Sequence, residues 1–238
     1  MIILVFDTET TGLPIYDAKT KTTTYPHIIQ LSFVLFNTDS MEIIHCYDKI
    51  IKLDDNIDIS RDSIAIHGIT REKSNEFGIN IVDALLCLFE YARLATLVVG
   101  HNCSFDINMI KEESYRIKAS NIYNDTSILN LPHVLSVTYC TMKETKNICK
   151  IPHPNSSYKD VLSPSPSYKW PKLNELHHHL FGSIPKNLHN ALYDTLICLR
   201  CYIQHIYTID ISKLPLIGDN TTIDLTNTNE LNIPLIFV

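Results

Sequence analysis

The sequence predicts an α/β fold in which one mixed sheet is flanked by helices. Three observations lead to this prediction: an apolar run opens the chain at residues 2–6, two segments rich in β-formers follow, and strand and helix signals alternate further on. Two strands that are connected through a helix pair in parallel. The sheet should therefore join an antiparallel half to a parallel half. The 238 residues, 45% of them hydrophobic, suffice for one such domain.

The first half of the chain predicts an antiparallel meander. Strand one covers the opening apolar run and stops at Asp7, and residues 14–26 form a polar connection. Residues 28–37 and 42–52 are the next two strands, joined by a polar turn. A short helix within residues 59–70 should end at Gly68, because glycine readily terminates a helix.

The second half predicts the parallel strands and most of the helices. We expect helices over residues 76–92, 106–118, 173–181 and 190–206, with strands over 95–100 and 134–141. Residues 150–171 contain five prolines and several serines, which predicts an irregular exposed loop or flap. The predicted domain covers residues 1–207, and residues 208–238 form a C-terminal tail that can pack on it.

Composition narrows the function classes. The formal net charge of −6 argues against a protein that grips nucleic acid by bulk positive charge, so any such contact must be local. The seven cysteines are scattered and odd in number, which is typical of reduced, intracellular protein. Neither a signal peptide nor a run long enough to span a membrane is visible, so we expect an intracellular location, in cytoplasm or nucleus.

Two acidic residues at the end of strand one carry the first functional signal. Asp7 and Glu9 should point the same way, because side chains alternate along a strand. Adjacent carboxylates repel each other unless a cation, a shared proton or strong hydrogen bonding compensates. Taken alone, the pair could also serve an ordinary turn, since aspartate and threonine often stabilise turns. A divalent cation with oxygen ligands is the functional interpretation.

Further residues along the chain favour that interpretation. Asp106 follows a buried strand, and His189 and Asp194 bracket the start of the last long helix. Five helical residues rotate by about 140°, so His189 should lie in the loop before the helix. Phosphodiester hydrolysis with two divalent ions uses such a set. Asp7 would bridge both ions, Glu9 and Asp194 would complete one site, Asp106 would reach the other, and His189 would accept a proton from the attacking water. Oxygen-only ligands favour Mg²⁺ or Mn²⁺.

Three segments resemble the motifs of the DEDDh 3′→5′ exonucleases, the family of the proofreading epsilon subunit of bacterial replicative polymerase. They are Asp7-Thr8-Glu9-Thr10-Thr11-Gly12-Leu13, Val99-Gly100-His101-Asn102-x2-Phe105-Asp106 and His189-Asn190-Ala191-x2-Asp194. The resemblance covers roughly residues 1–205. It implies an RNase H-like fold with a mixed five-stranded sheet, metal roles for the four acids and a general base at His189. It also implies that Thr8, Thr10, Thr11, Leu13, His101, Asn102 and Phe105 contact substrate.

The expected function is hydrolysis of the terminal phosphodiester of DNA at single-stranded or frayed 3′ ends, with release of nucleoside 5′-monophosphates. DNA is favoured over RNA on the resemblance alone, because discrimination rests on the 2′-hydroxyl and no contact to it can be identified. An RNA-trimming exonuclease is the enzymatic alternative. A non-catalytic scaffold that docks on a polymerase is the alternative from another class, and a polymerase or a repair complex is the candidate protein partner. Lysines and aromatic residues around the proline-rich stretch, Lys169 and Trp170 among them, suggest a strand-binding flap.

Overall fold

The computed structural model describes residues 1–120, 127–154, 167–186, 188–215 and 222–225. The strands are β1 (Ile2–Thr10), β2 (Ile15–Asp17), β3 (Thr22–Thr24), β4 (Ile28–Asn37), β5 (Glu42–Ile50), β6 (Leu97–Gly100), β7 (Thr138–Cys140), β8 (Lys213–Pro215) and β9 (Thr222–Asp224). The helices are α1 (Arg61–His67), α2 (Arg71–Phe77), α3 (Ile81–Ala92), α4 (Cys103–Ser120), α5 (Ser127–Val134), α6 (Thr141–Glu144), α7 (Lys146–Cys149), α8 (Leu173–Phe181) and α9 (Ala191–Tyr207).

The central sheet has five strands in the order β5-β4-β1-β6-β7. The pairs β1–β4 and β4–β5 are antiparallel, whereas β1–β6 and β6–β7 are parallel. The predicted α/β fold, with an antiparallel meander on one side and parallel strands on the other, is therefore confirmed. β1 lies in the middle, and this central position explains why the first residues of the chain are among the most buried.

Side-chain alternation along β1 divides the core into two layers. Ile3 and Val5 belong to the cluster that packs against α9, and Leu4 and Phe6 belong to the cluster on the opposite face, with α3 and α4. The same alternation continues beyond the apolar residues. Asp7 and Glu9 therefore lie on the face of α9, and Thr8 lies on the face of α4.

Two predicted boundaries are wrong near the start of the chain. β1 does not stop at Asp7 but continues to Thr10, because pairing with β4 persists up to a register shift between Glu9 and Thr10. The predicted helix over residues 76–92 is interrupted, since the extended backbone around Ile79 bonds to the end of β5, with its N–H on the Ile50 carbonyl at 2.9 Å. α3 begins only after that, with the Asn80 side chain as its cap.

Two further corrections concern the parallel half. α4 begins three residues before Asp106, so Asp106 lies in the first helical turn. The predicted fifth strand is shorter, because Val134 ends the unpredicted α5 and only Thr138–Cys140 pairs with β6. Leu135, an apolar residue of the predicted strand, is buried on the α4 face instead.

The segments predicted as irregular contain local structure. Residues 14–26 include the β2–β3 hairpin, every residue of which is exposed. At the ends of the proline-rich stretch, Pro152 forms an isolated bridge with Tyr168. The centre of the predicted flap, residues 155–166, lies outside the described residues.

The described part of the tail contacts the domain through α9. Leu214, Ile223 and Leu225 are buried in the cluster on the α9 face. The buried guanidinium of Arg200 donates to both carboxylate oxygens of Asp210, at 2.8 and 2.9 Å. Within the described residues, no helix is long and apolar enough to cross a membrane.

One of three consecutive histidines is part of this cluster. Within the run His177-His178-His179, His177 is buried; its Nε2 accepts from Arg200 at 3.2 Å and its Nδ1 donates to the Ser183 carbonyl at 2.7 Å. The sequence offered no signal for this, because three consecutive histidines on a helix look alike until the packing partner is known.

Candidate metal centre

Three carboxylates converge where β1 meets the first turn of α9. Asp7 and Glu9 approach from the strand and Asp194 from the helix, and one oxygen of each lies within 4.8 Å of the others. All three side chains are half-buried. The sequence predicted this group from strand alternation and from the helix start, and the structure brings its members together as predicted.

The fourth predicted acid is held from the opposite face of β1. Asp106 is buried, and its Oδ1 accepts from both the backbone N–H of Thr8 at 3.1 Å and the Thr8 hydroxyl at 2.7 Å. Thr8 thus positions this carboxylate beside the three-acid group.

The predicted general base lies at the exposed entrance of the group. His189 precedes α9 with a φ of 74°, in the left-handed region, and its N–H donates to Asp194 Oδ2 at 3.1 Å. Asn190 caps the helix by accepting from the N–H groups of Leu192 and Tyr193. The backbone bond to Asp194 anchors the histidine, and its imidazole lines the cleft that also contains Asp7.

Burial raises the pKa of all four acids, and repulsion from neighbouring carboxylates adds to the shift at Asp7 and Glu9. Desolvation is the largest cause for Asp7, whose pKa is raised well above its usual value, with added repulsion from the other three acids. Burial, then Asp194 and Asp106, raise the pKa of Glu9 to about 8. Burial raises the pKa of Asp106 and of Asp194 to about 7, although hydrogen bonds from Thr8 and from His189 oppose the shift. Such a cluster stabilises a nearby positive charge.

The donor set fits hard divalent cations. Asp194 Oδ1 is buried and has no hydrogen-bond donor within the part of the chain that the structure describes. A buried carboxylate oxygen without a donor is costly, and a cation would satisfy it. Since carboxylate oxygens are the nearest ligands, Mg²⁺ and Mn²⁺ suit the group better than a soft metal.

Metal removal and pH should therefore act together on stability. The ordinary pKa values of Glu9, Asp106 and Asp194 lie near 3.8 to 4.5 in the unfolded chain, whereas burial in the metal-free fold raises these pKa values to about 7 to 8. Between the unfolded and the folded pKa values, the folded state binds more protons than the unfolded chain. We therefore expect the melting temperature in chelator to fall as the pH rises from about 5 to 8. At pH 8, metal at a hundred times its dissociation constant should restore about 2.7 kcal/mol of unfolding free energy.

Asp194→Asn and Asp55→Asn are the matched variants for this measurement, because Asp55 is exposed and lines none of the clefts around the acids. The first should lose the metal response and the second should keep it. A melting temperature in chelator that rises toward pH 8 would contradict the predicted linkage.

Gln30, which sequence analysis missed, positions the start of α9, and Asp48 holds it in place. The buried Gln30 lies opposite Glu9 across the β1–β4 pair, and its Oε1 accepts from the Ala191 N–H at 3.2 Å. Its Nε2 donates to Asp48 Oδ1 at 2.8 Å, to which Ser32 also donates at 2.5 Å. The only sequence signal was the pair Gln30 and Ser32, two polar residues in the otherwise apolar run of residues 28–36.

Gln30→Met should loosen this support while preserving side-chain volume. It leaves the Ala191 N–H and the Asp48 carboxylate short of a partner, so we expect a loss of about 1–3 kcal/mol in unfolding free energy. We also expect about a tenfold fall in turnover, because His189 and Asp194 flank the loosened turn. Denaturant unfolding and nuclease assays, with Gln204→Met on the same helix as control, measure both; unchanged stability and turnover would refute the role.

Two clefts meet at the acids. The first, about 640 Å³ and here called the apolar cleft, is lined by Glu9, Leu13, Ile15, Ile66 and Phe105, together with the buried Thr8, Thr10 and Thr11. Leu13 is 76% exposed, which is unusual for a large apolar side chain unless something covers it. Five of the seven predicted substrate contacts line this cleft: Thr8, Thr10, Thr11, Leu13 and Phe105.

The second, about 810 Å³ and here called the basic cleft, contains Asp7, Asp194 and His189 at one end. Its cations and aromatic residues are Lys146, Lys169, Lys172, His153, Tyr168 and Trp170. Trp170 is 55% exposed, as the flap hypothesis requires, but Lys169 is less available than expected because its Nζ bonds both carboxylate oxygens of Glu175 at 2.5–2.6 Å.

The two remaining predicted contacts, His101 and Asn102, line the basic cleft. The Nε2 of His101 donates to the Pro171 carbonyl at 3.0 Å, and its Nδ1 lies 2.9 Å from the Thr141 hydroxyl. Burial lowers the pKa of His101 to about 4, so the ring is neutral. His101 thus ties the segment that carries Trp170 to the sheet, which is a positioning role. Asn102, with a φ of 73°, is half-exposed.

The profile of the RNase_T family, described as Exonuclease, matches residues 4–202. No curated protein sequence is significantly similar to the chain.

Solved structures share the fold. A structure of exonuclease I superimposes with a TM-score of 0.60 at 17% identity, over 86% of this chain and 41% of that one. E. coli exonuclease I in complex with a dA16 oligonucleotide gives 0.58 at 17% identity, over 86% and 41%. A 3′-exonuclease that recognises the 3′ end of a histone mRNA stem-loop gives 0.57 at 15% identity, over 94% and 70%. The chain therefore spans less than half the length of exonuclease I, and the RNase H-like fold expected from the resemblance is confirmed.

Proposed function

The chain belongs to the RNase_T exonuclease family, of the DEDDh 3′→5′ type, and on that premise we propose that it hydrolyses the terminal phosphodiester of DNA at single-stranded or frayed 3′ ends. Nucleoside 5′-monophosphates are the products. The observation that carries the proposal is the convergence of Asp7, Glu9 and Asp194 within 4.8 Å, with Asp106 and His189 beside them. The family is divalent-metal dependent, and we propose two Mg²⁺ or Mn²⁺ ions.

The chemistry of the two clefts supports one orientation of the bound DNA strand. Each upstream nucleotide brings a phosphate, which needs cations, and lysines line the basic cleft. The terminal nucleoside brings only the scissile phosphate, and the apolar cleft presents Leu13 and Phe105 to a base. The scissile bond then lies where the clefts meet, with the terminal nucleoside in the apolar cleft and the upstream strand in the basic one.

The residues of the chain divide the chemistry among them. Two divalent ions, when bound, supply positive charge for the attacking water and the leaving oxygen. Asp7, Glu9 and Asp194 hold that charge between the clefts, and Thr8 fixes the Asp106 carboxylate on the other side of the strand. His189 accepts the proton of the attacking water, since it is exposed, lines the basic cleft together with Asp7, and is held next to Asp194 by its backbone N–H. His101 is neutral and bonded at both ring nitrogens, and it holds the wall of the basic cleft.

A domain spanning residues 1–207, followed by the tail over 208–238, is part of the proposal. The buried contacts of Leu214 and Leu225 and the Arg200–Asp210 pair support packing of the tail on the domain.

The test uses matched DNA and RNA oligonucleotides labelled at the 5′ end, incubated with Mg²⁺, with Mn²⁺ and with chelator. A ladder that shortens from the 3′ end, absent in chelator, is the expected result, with DNA shortened faster. Faster shortening of RNA would favour the RNA-trimming alternative, for which the similarity to the histone mRNA 3′-exonuclease is the supporting observation. No shortening of either strand, with metal still bound, would favour the scaffold alternative.

A further inference from the structure

The β2–β3 hairpin is a feature that the proposed chemistry does not use. It consists of two three-residue strands paired from Ile15–Thr24 to Asp17–Thr22, and neither face is covered by another element of the described structure. A two-stranded hairpin is at best marginally stable by itself in water. Nevertheless this one exposes large apolar side chains, with Ile15 70% and Tyr16 63% exposed. Exposed apolar side chains that adjoin one another beside a cleft are typical of a binding surface.

The base of the hairpin forms part of the apolar cleft. Ile15 and Thr24, which pair with each other, both line it, together with Glu9 at the end nearest the acids. From Ile15 the hairpin projects by three residue pairs, which is about 10 Å. Residues 16–23, which form the rest of the hairpin, line neither cleft, so the tip lies outside both of them.

The charge of the tip differs from that of the cleft beneath it. No lysine or arginine lines the apolar cleft within the described residues, whereas Asp58 and Asp62 do. The tip carries Lys19 and Lys21, both exposed. The one acid of the hairpin, Asp17, accepts the backbone N–H of Lys19 at 2.7 Å within the turn. The tip thus offers two cations, and the exposed Tyr16 in β2 adds an aromatic ring, to a ligand outside the cleft.

The direction of the strand limits what that ligand is. With the terminal nucleoside in the apolar cleft, the cleaved strand ends there, and it has no phosphate beyond its 3′ end. The two lysines and the aromatic ring of the hairpin, which line neither cleft, suit a different strand, because lysines bind phosphates and exposed aromatic rings stack on bases. In a duplex with a recessed 3′ end, the complementary strand continues past the cleaved one and supplies both groups.

We propose that the β2–β3 hairpin binds the complementary strand of a duplex with a recessed 3′ end, through Tyr16, Lys19 and Lys21. The proposal rests on the proposed function, because the strand direction comes from it. It adds a contact outside both clefts, through which the hairpin binds the overhanging strand opposite the terminal nucleoside.

The test compares one labelled DNA strand, alone and annealed to a longer complement that extends eight nucleotides past its 3′ end. The hairpin variant is Tyr16→Ala, Lys19→Ala and Lys21→Ala combined. The control is Lys111→Ala with Lys118→Ala, two exposed positions on α4 that line neither cleft. We expect the hairpin variant to lose at least about tenfold in kcat/KM on the recessed duplex, and less than about twofold on the single strand. The salt dependence of binding to the recessed duplex should weaken by about 1.4 in log–log slope, because the two lysines contact the single-stranded overhang.

Binding measured by fluorescence anisotropy, in proteins that also carry Asp7→Asn, makes the result independent of turnover. The proposal is supported if the hairpin variant binds the recessed duplex more weakly than the control does and binds the single strand equally well. Equal losses on both substrates would overturn it in favour of contact with the cleaved strand, and no loss on either would overturn it outright. If the wild-type protein hydrolyses neither substrate, the proposed function fails, while the anisotropy comparison still decides whether the hairpin binds the overhang.

Discussion

Asp7→Asn should reduce hydrolysis about a thousandfold or more. The substitution keeps the size of the side chain but removes a carboxylate from the group that it forms with Glu9 and Asp194. Charge stabilisation by a correctly held metal contributes several kcal/mol to the transition state, and each tenfold in rate corresponds to about 1.36 kcal/mol. Turnover of the 5′-labelled DNA strand under single-turnover conditions measures the loss.

The same substitution should stabilise the metal-free fold, which separates it from a folding defect. The pKa of Asp7 is raised well above its usual value, first by burial and then by repulsion from Asp106, Asp194 and Glu9. A neutral amide removes that repulsion, so the melting temperature in chelator should rise at pH 8 while the metal response disappears. Asp55→Asn is the control and should change neither quantity. Retention of more than a tenth of the activity by Asp7→Asn would exclude the central role assigned to it.

His189→Asn should lower kcat by about 10²–10⁴-fold, the usual contribution of a general base. Asparagine is the suitable replacement, because His189 has a φ of 74° and asparagine tolerates the left-handed region better than most residues. The backbone N–H would still donate to Asp194, so the acid group should remain in place. KM for the DNA strand should change little, since the imidazole is assigned to proton transfer.

The pH profile identifies the proton-transfer role. Without a general base, the rate depends on hydroxide in solution, so the deficit of His189→Asn should narrow as the pH rises from 7 to 9. His153→Ala, in the same cleft and exposed, is the matched control and should keep the wild-type profile. A constant deficit across this range, with KM raised instead, would assign His189 to substrate binding.

Much of the site could be predicted because it depends on local periodicity. The alternation of β1 places Asp7 and Glu9 on one face whatever surrounds the strand, and the cap at Asn190 places His189 outside the helix and Asp194 in its first turn. The antiparallel meander and the parallel second half follow from the order of strand and helix signals. The local pattern did not predict where the helix over residues 76–92 is interrupted, because that interruption comes from a long-range contact: the backbone N–H of Ile79 bonds to β5.

The sequence by itself determined which chemical groups are present and which of them share a strand face or a helix turn, because these relations are set by backbone geometry over a few residues. The tertiary structure alone decided which groups are already engaged. Lys169 is paired with Glu175, and His101 is bonded at both ring nitrogens. Gln30 supports α9 from 161 residues away, and no local pattern encodes such a contact. The exposure of Tyr16 on an uncovered hairpin likewise follows from what fails to pack against it, which only the complete fold decides.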